Sequence, residues 1–208
     1  MKKHYKSVFT NEQVLLKAVI EIHLDNNDIQ LDPMYFKGNF YKDGVNPPAI
    51  RYDINPQVEG VEKADAGCLL HIPDNSIQNV ILDPPFLFGI HGKTKDYYSS
   101  KTHTIFKDYD ELVRCYISII KEASRYLVKK GILIFKCQDY TDSKTTMTHC
   151  LVKDLAEQCG FYAKDLAILV KPNKVTNPNT KQRHFRKIHT YFWIFEKKPI
   201  RQRVKSVK

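Results

Sequence analysis

Four consecutive residues, Asp83, Pro84, Pro85 and Phe86, follow an apolar run and combine groups that could do chemistry. The aspartate supplies a carboxylate, the prolines hold the backbone and its carbonyl groups rigid, and the phenylalanine offers an aromatic face. A carboxylate and a fixed carbonyl can accept the two N–H bonds of a planar amine, while an aromatic face stacks on its ring. The tetrapeptide therefore predicts a pocket for a flat, amino-bearing base.

Short apolar runs that stop at an acid also occur upstream of this tetrapeptide. Strands are predicted at 29–33 and 49–53, which contain Asp32 and Asp53 near their ends, and Asp65 lies in a third connection. Strands that alternate with helices predict a mostly parallel sheet with helices on both faces. In such sheets the carboxyl ends of the strands line one crevice, and ligands bind there. We expect the acids to lie along that crevice.

Three helices are predicted, one before the first strand and two between later strands. The first begins with Thr10 as its N-cap, the second starts at Asp108 or Asp110 and ends at the basic turn and glycine 129–131, and the third covers 146–159. The last two strands are separated only by a loop, so they should pair as an antiparallel hairpin. The later strands are predicted at 131–136, 165–170 and 190–195.

The 208 residues suit a single domain, 1–208, with one substantial core. We expect flexible ends at 1–8 and 199–208. Two long connections without periodicity, 87–107 and 171–189, are typical of functional loops, and we expect both to face the substrate.

The chain is basic, with a formal net charge of +10, and the charge is uneven. From Lys171 to the end there are twelve Lys or Arg residues and a single acid, Glu196. A basic flank of this kind favours a nucleic-acid partner, although a solubilising tail stays open as the alternative. The candidates for nucleic-acid contact in the two long connections are Lys93, Lys95, Tyr97, Tyr98, Arg183, Arg186 and Lys187.

The five cysteines, Cys68, Cys115, Cys137, Cys150 and Cys159, are odd in number and widely spaced. This pattern predicts reduced cysteines in the core and a cytoplasmic protein. No metal site is predicted, because paired ligands at short spacing are lacking. No apolar run approaches the roughly 18 to 20 residues of a membrane span, and no signal peptide is evident.

The tetrapeptide Asp83-Pro84-Pro85-Phe86 resembles the D-P-P-[YFW] motif of class I S-adenosylmethionine-dependent methyltransferases that act on amino groups of nucleic acids. The segment 189–195 resembles their last sheet strand, and the likeness extends over about 29–198. It implies a Rossmann-like α/β fold, with a mixed, mostly parallel sheet and a C-terminal antiparallel hairpin. It also implies S-adenosyl-L-methionine as cofactor and Asp83, Pro84, Pro85 and Phe86 as catalytic residues.

The resemblance further implies where the cofactor binds. The turn 32–38 would approach its methionine part, Asp53 its ribose, and Asp65 with Ala66 its adenine. At one position the turn departs from the family, because Phe36 stands where a first glycine is usual. The cofactor-binding residues implied are Asp32, Pro33, Met34, Gly38, Asp53, Ile54, Asp65 and Ala66.

The resemblance favours methylation of adenine N6 in DNA, in the manner of DNA N6-adenine methyltransferases. The lone pair of an exocyclic amine is delocalised into the ring, and acceptors on its N–H bonds favour a pyramidal, more reactive nitrogen. The methyl group of a sulfonium is already activated, so positioning supplies much of the remaining rate, and a base in duplex DNA must first leave the stack.

Several alternatives stay open. RNA could replace DNA, with adenine N6 or guanine N2 as the target, and cytosine N4 is a third target. The departure at Phe36 allows a nucleic-acid-binding subunit that keeps the fold without the catalysis. Because a chain of this size has room only for loops in target recognition, we expect loose specificity or help from a homodimer or partner subunit.

Overall fold

The computed structural model of the protein describes residues 4–90, 105–141, 144–171, 183–185 and 187–199. Its main feature is an eight-stranded sheet with helices on both faces. In chain order the elements are β1 (Val8–Phe9), α1 (Glu12–His23), β2 (Leu31–Asp32), β3 (Ile50–Asp53), β4 (Glu62–Lys63), β5 (Ile77–Leu82), β6 (Leu87–Phe88), β7 (Ile105–Phe106), α2 (Tyr109–Tyr126), β8 (Leu127–Cys137), β9 (Tyr140–Thr141), β10 (Thr145–Thr146), α3 (Thr148–Gln158), β11 (Phe161–Val170) and β12 (His189–Lys197).

The sheet is mixed and mostly parallel, which confirms the prediction. Its strand order is β1-β11-β12-β8-β5-β2-β3-β4, and β8, β5, β2, β3 and β4 run parallel to one another. The hairpin of β11 and β12 is antiparallel, as expected, and β12 is also antiparallel to β8. The carboxyl ends of β2, β3, β5 and β8 therefore meet at one edge, beside the amino end of β12.

The two central strands, β5 and β8, are apolar on both faces because helices cover both sides. Val80 and Leu82 of β5 belong to the core under α2 and α3, whereas Ile81 belongs to the core under α1. The same alternation along β8 puts Leu133 in the first core and Ile134 in the second. This period of two fixes which face each residue at the strand ends presents.

The boundaries of α1 and α2 differ from the sequence predictions. The N-cap of α1 is Asn11, not Thr10, because the Asn11 side chain accepts a hydrogen bond from the Val14 backbone N–H at 2.9 Å. Helix α2 ends at Tyr126, and the basic turn with Gly131 lies within β8. Its last carbonyl groups are satisfied from elsewhere in the chain, since Ser76 N donates to Tyr126 O at 2.8 Å. No local glycine cap is needed.

The described residues of the predicted flexible ends and long loops include some regular structure. The structure differs at Val8, which pairs with Ile168 of β11, and at the start of the 87–107 loop, where β6 pairs with β7. The 171–189 loop is closed at its base, because Lys171 N donates to Ile188 O at 2.7 Å. The parts of these segments that lie outside the described residues are 1–3, 91–104, 172–182, 186 and 200–208.

All five cysteines are free, which agrees with the prediction of reduced thiols. The prediction that they lie in the core is correct only for Cys137, which is buried. Cys68 and Cys150 are exposed, and Cys115 and Cys159 are half-buried. Exposure follows from their positions, since Cys68 lies in a turn and Cys150 lies in the first turn of α3.

Candidate active site

The predicted acids lie along one edge of the sheet. Asp32 and Asp53 are the last residues of β2 and β3, Asp83 directly follows β5, and Asp65 follows β4 by two residues. Asp83 and Asp53 are close enough to Asp32 to disfavour its negative charge. The predicted acids therefore share the edge of the sheet at which the parallel strands end.

The backbone of the tetrapeptide after β5 is fixed against the protein core. Pro84 is buried, and the hydroxyl of Tyr116 in α2 donates to the carbonyl of Pro85 at 3.0 Å. The side chain of Asp83 remains 30% exposed, and Phe86 is half-buried. The rigid part of the motif faces the core, while its carboxylate and its ring remain accessible.

A cavity of about 120 Å³ opens beside this motif. Asp83, Phe86 and Lys136 line it from the β5 and β8 strand ends. Lys171 and Thr190 line it from the β11–β12 hairpin. The β11–β12 hairpin thus contributes part of the wall of the cavity.

Asp83 is paired with a lysine that the sequence reasoning did not select. Lys136 Nζ donates to Asp83 Oδ2 at 2.8 Å and also lies 3.1 Å from Glu12 Oε1. Although burial disfavours the ammonium, the two carboxylates raise the pKa of Lys136 above its ordinary value. A signal was present in the sequence, because a charged residue ends the apolar run of β8.

Asp32 is satisfied within its own turn. It is only 1% exposed, and its two oxygens accept hydrogen bonds from Met34 N at 2.9 Å and from the Tyr41 hydroxyl at 2.7 Å. Burial raises the pKa of Asp32 to about 7, against the opposing effect of these hydrogen bonds. Tyr35 stacks on Tyr41 with ring centroids 5.2 Å apart, so aromatic rings close the turn.

At Phe36, where the sequence lacks the usual glycine, the backbone nevertheless has a glycine-like conformation. Phe36 has φ +50° and Gly38 has φ +67°, so both positions adopt the left-handed conformation that favours glycine. Phe36 N donates to Asp53 Oδ2 at 2.8 Å, and Asn55 N donates to Asp53 Oδ1 at 2.8 Å. The turn keeps a glycine-like backbone without the first glycine, and Asp53 holds it in place.

The remaining predicted cofactor residues are spread around this turn and the next. Pro33 and Ala66 are buried, Met34 is half-buried, and Ile54 is exposed. Asp65 is exposed and accepts a hydrogen bond from Gly67 N at 2.8 Å. These contacts define local turns, and the cofactor roles of the residues stay predictions.

Two of the predicted nucleic-acid residues are described. Arg183 is exposed and Lys187 is half-buried, and both line a depression of about 530 Å³ beside β10. The Gln138 side chain donates to the Lys187 carbonyl at 3.3 Å, which ties this loop to the end of β8. The other predicted contacts, Lys93, Lys95, Tyr97, Tyr98 and Arg186, lie outside the described residues.

A further acid at the same edge, Asp139, was missed by the sequence reasoning. It follows β8, is 4% exposed, and accepts a hydrogen bond from His149 Nδ1 at 2.7 Å. The Tyr191 hydroxyl donates to its other oxygen at 3.3 Å. A weaker form of the signal that identified Asp32 and Asp53 was present, because Asp139 stands three residues beyond Lys136, which ends the apolar run of β8.

The part of the chain that the structure describes contains neither a membrane-spanning helix nor a group of metal ligands. No helix in this part has the length and apolar character needed to cross a bilayer. The same ranges contain no group of three or more His, Cys, Asp or Glu side chains arranged to hold a metal ion.

A protein-family model matches more than half of the chain. The model N6_N4_Mtase, described as DNA methylase, matches residues 77–207. This range contains Asp83, Phe86 and Lys136 as well as the β11–β12 hairpin. No curated protein sequence matches the chain.

Among solved structures, similarity to a methyltransferase with a TM-score of 0.50 supports the fold, and two further structures resemble the chain more weakly. A SAM-dependent methyltransferase from Archaeoglobus fulgidus has 16% identity and a TM-score of 0.50, over 89% of this chain and 94% of that chain. PvuII DNA methyltransferase, which is cytosine-N4-specific, has 17% identity and a TM-score of 0.48, over 65% and 48% of the two chains. A Thermus thermophilus protein complexed with S-adenosyl-L-methionine has 22% identity and a TM-score of 0.45, over 65% and 54%. The chain thus spans about half the length of the last two proteins.

Proposed function

Since this chain belongs to the N6_N4_Mtase family of DNA methylases, we propose that it methylates an exocyclic amino group of a base in DNA, namely adenine N6. The observation that supports this most is the accessible Asp83 carboxylate beside Phe86, at a cavity on the carboxyl edge of the sheet. A carboxylate next to an aromatic face matches an amine carried by a flat ring.

Asp83 and Pro84 act on the amine in this proposal. The Asp83 carboxylate and the Pro84 carbonyl each accept one N–H of the amine, and its nitrogen lone pair then points away from the ring plane. The prolines and the Tyr116–Pro85 hydrogen bond keep these acceptors still, so little reorganisation accompanies the reaction. Phe86 stacks on the base, which contributes on the order of 1–3 kcal/mol.

S-adenosyl-L-methionine is the proposed cofactor, and it supplies an activated methyl group when bound. The turn after β2 fits such a group, because the left-handed backbone at Phe36 and Gly38 lets main-chain atoms approach a ligand closely. Asp53 also fits, since each of its oxygens carries one backbone hydrogen bond and retains a lone pair for a ribose hydroxyl. Asp65 and Ala66 would lie at the adenine end of the cofactor.

The choice of adenine rests on the D-P-P-F tetrapeptide, and cytosine N4 is the second candidate because the family covers both targets. Methylation of RNA is a third possibility that the same motif serves. The Phe36 departure supports a non-catalytic role less than the sequence suggested, because the glycine-like backbone is kept.

DNA recognition is proposed to use the loops 87–107 and 171–189. Arg183 and Lys187 belong to the second loop, and its basic character suits contact with phosphates. A homodimer or a partner subunit is proposed to add to target recognition.

Methyl transfer from tritiated S-adenosyl-L-methionine to duplex DNA, single-stranded DNA and RNA tests the proposal, with nucleoside analysis of each product. We expect N6-methyladenine in duplex DNA. N4-methylcytosine would change the target base, and label in RNA alone would overturn the DNA assignment. Cofactor binding without transfer to any of the three substrates would support the non-catalytic alternative.

A further inference from the structure

The ammonium of Lys136 is enclosed by opposite charge and aromatic rings beside the proposed catalytic carboxylate. Its Nζ lies 2.8 Å from Asp83 Oδ2 and 3.1 Å from Glu12 Oε1. It also lies 4.7 Å from the ring centroid of Phe40 and 5.7 Å from that of Phe192. These contacts hold the ammonium from several sides, so it has little freedom to move.

The fold places Lys136 there by register. Strand β5 pairs with β8 so that Leu82 lies opposite Phe135, and the next residues along are Asp83 and Lys136. Lys136 alternates with Phe135 and therefore points to the same face as Ile134, which packs under α1. Glu12, the first residue of α1, reaches it from that side.

A lysine at the end of a buried strand could simply extend to solvent. Lys136 does not, because its side chain is only 15% exposed. An amine buried without partners would favour its neutral form, yet the carboxylates reverse this effect and raise the pKa of Lys136. The cation is therefore a fixed part of the site at neutral pH.

The freedom that remains to Asp83 lies in its side chain. Its backbone is restricted because it precedes Pro84. Rotation about the side-chain torsions would nevertheless move both carboxylate oxygens relative to a bound amine. The hydrogen bond from Lys136 engages Oδ2 and so restrains this rotation, and the restrained side chain lines the cavity.

We propose that Lys136 is a positioning residue that aims the Asp83 carboxylate at the target amine, with Glu12 as the balancing charge. This inference rests on the proposed function. Glu12 also pairs with Lys136, so Asp83, Lys136 and Glu12 together carry one net negative charge. Asp83 therefore remains a strong hydrogen-bond acceptor. Lys136 acts through Asp83 and binds neither the cofactor nor the DNA.

The test compares Lys136→Met, Lys136→Arg and Glu12→Gln with the unchanged chain. Because misplacement of a reacting group by about 1 Å can cost roughly 100-fold, we expect Lys136→Met to lower kcat by at least about 30-fold. The KM for DNA and the Kd for the cofactor should change by less than about 3-fold, because a lost positioning contact affects the chemical step rather than binding. Lys136→Arg should restore most of kcat, and Glu12→Gln should lower it by about 3-fold to 10-fold, since part of the acceptor strength is lost.

Lys164→Met is the matched control. Lys164 lies on a strand of the same sheet and pairs with Glu196 at 2.8 Å, away from the cavity. Its loss should leave kcat unchanged. If Lys136→Met does not fold because Asp83 and Glu12 repel each other, the double variant Lys136→Met with Glu12→Gln removes that repulsion and serves in its place.

The outcomes separate the two proposals. An unchanged chain that transfers no methyl group to any nucleic acid would overturn the proposed function and this inference with it. An active chain in which Lys136→Met keeps its kcat, or loses affinity for DNA or cofactor instead, would overturn the positioning role alone. A low kcat in Lys136→Arg, equal to that of Lys136→Met, would overturn it as well.

Discussion

Asp83 and Asp32 occupy equivalent places at the ends of neighbouring parallel strands, yet their surroundings are opposite. Asp32 is 1% exposed, and both of its oxygens accept hydrogen bonds from the turn that follows it. Asp83 is 30% exposed at a cavity, and the structure assigns one of its oxygens to a cation. The position at a strand end brings an acid to the carboxyl edge of the sheet. An acid whose oxygens already accept hydrogen bonds from the chain has little capacity left for a ligand, whereas an acid with a free oxygen can accept one from a ligand.

The two carboxylates also differ in the charged groups that surround them. Burial raises the pKa of Asp32 to about 7, so its neutral form is well populated near neutral pH. Asp83 instead has the Lys136 ammonium at 2.8 Å and lines the cavity. One acid is therefore enclosed in a turn, and the other pairs with a cation at the cavity.

The largest effect expected from this contrast is on methyl transfer. Asp83→Ala should lower activity by at least about 1,000-fold, because it removes an acceptor that acts on the reacting amine, while cofactor affinity stays the same. Tritium transfer and calorimetric titration of the cofactor measure the two quantities. Full activity in this variant would remove Asp83 from the catalytic site.

The effect of Asp32 should instead appear in the pH dependence of the free energy of unfolding. Its pKa is about 7 in the folded chain and near 3.8 as an ordinary carboxyl, so the folded state binds the extra proton. Stability should therefore fall as pH rises from about 4 to 7, by up to about 4 kcal/mol if Asp32 acts alone. Asp32→Asn should flatten this part of the profile in urea unfolding measured from pH 4 to 8. An equal slope in both proteins would contradict the assignment.

The closed turn after Asp32 should tolerate no side chain at Gly38. A Cβ there would lie 2.6 Å from the Tyr35 hydroxyl oxygen, in a ring already stacked on Tyr41, and φ is +67°. Gly38→Ala should cost about 2–3 kcal/mol from strain and contact together. Gly160→Ala is the matched control, because φ is +92° and no atom lies within 4 Å, so it isolates backbone strain of about 1 kcal/mol. Equal losses in thermal unfolding would show that the Tyr35 contact contributes nothing.

The smallest expected effect concerns the open side of the crevice, where the hairpin loop would meet DNA. Arg183→Ala should weaken binding uniformly across sequences and lower the slope of log K against log salt by about 1. Lys129→Ala removes an equal charge from the exposed amino end of β8 and should leave the slope unchanged. Fluorescence anisotropy over a salt series measures both, and identical slopes would exclude a phosphate contact at Arg183.

Much of the framework followed from short-range patterns. The sequence predicted the mixed sheet, the antiparallel hairpin and the acids at the strand ends. These predictions were possible because the alternation of apolar residues and the prolines that end strands are local properties. The end of α2 was predicted at Gly131 and lies at Tyr126 instead. Its cap comes from Ser76, which no local pattern connects to the helix. The backbone at Phe36 was likewise not readable from the sequence, because a phenylalanine holds the left-handed conformation that usually requires glycine.

The sequence by itself determined that a carboxylate, a rigid carbonyl and an aromatic ring stand together after an apolar strand, because adjacent residues cannot be separated. Only the tertiary structure decided that Lys136 and Glu12 join Asp83, since these three come from β8, α1 and the end of β5. It also decided that Asp32 is enclosed and Asp83 is open. Burial and hydrogen-bond partners depend on which distant segments pack over a residue, and a linear pattern does not contain that information.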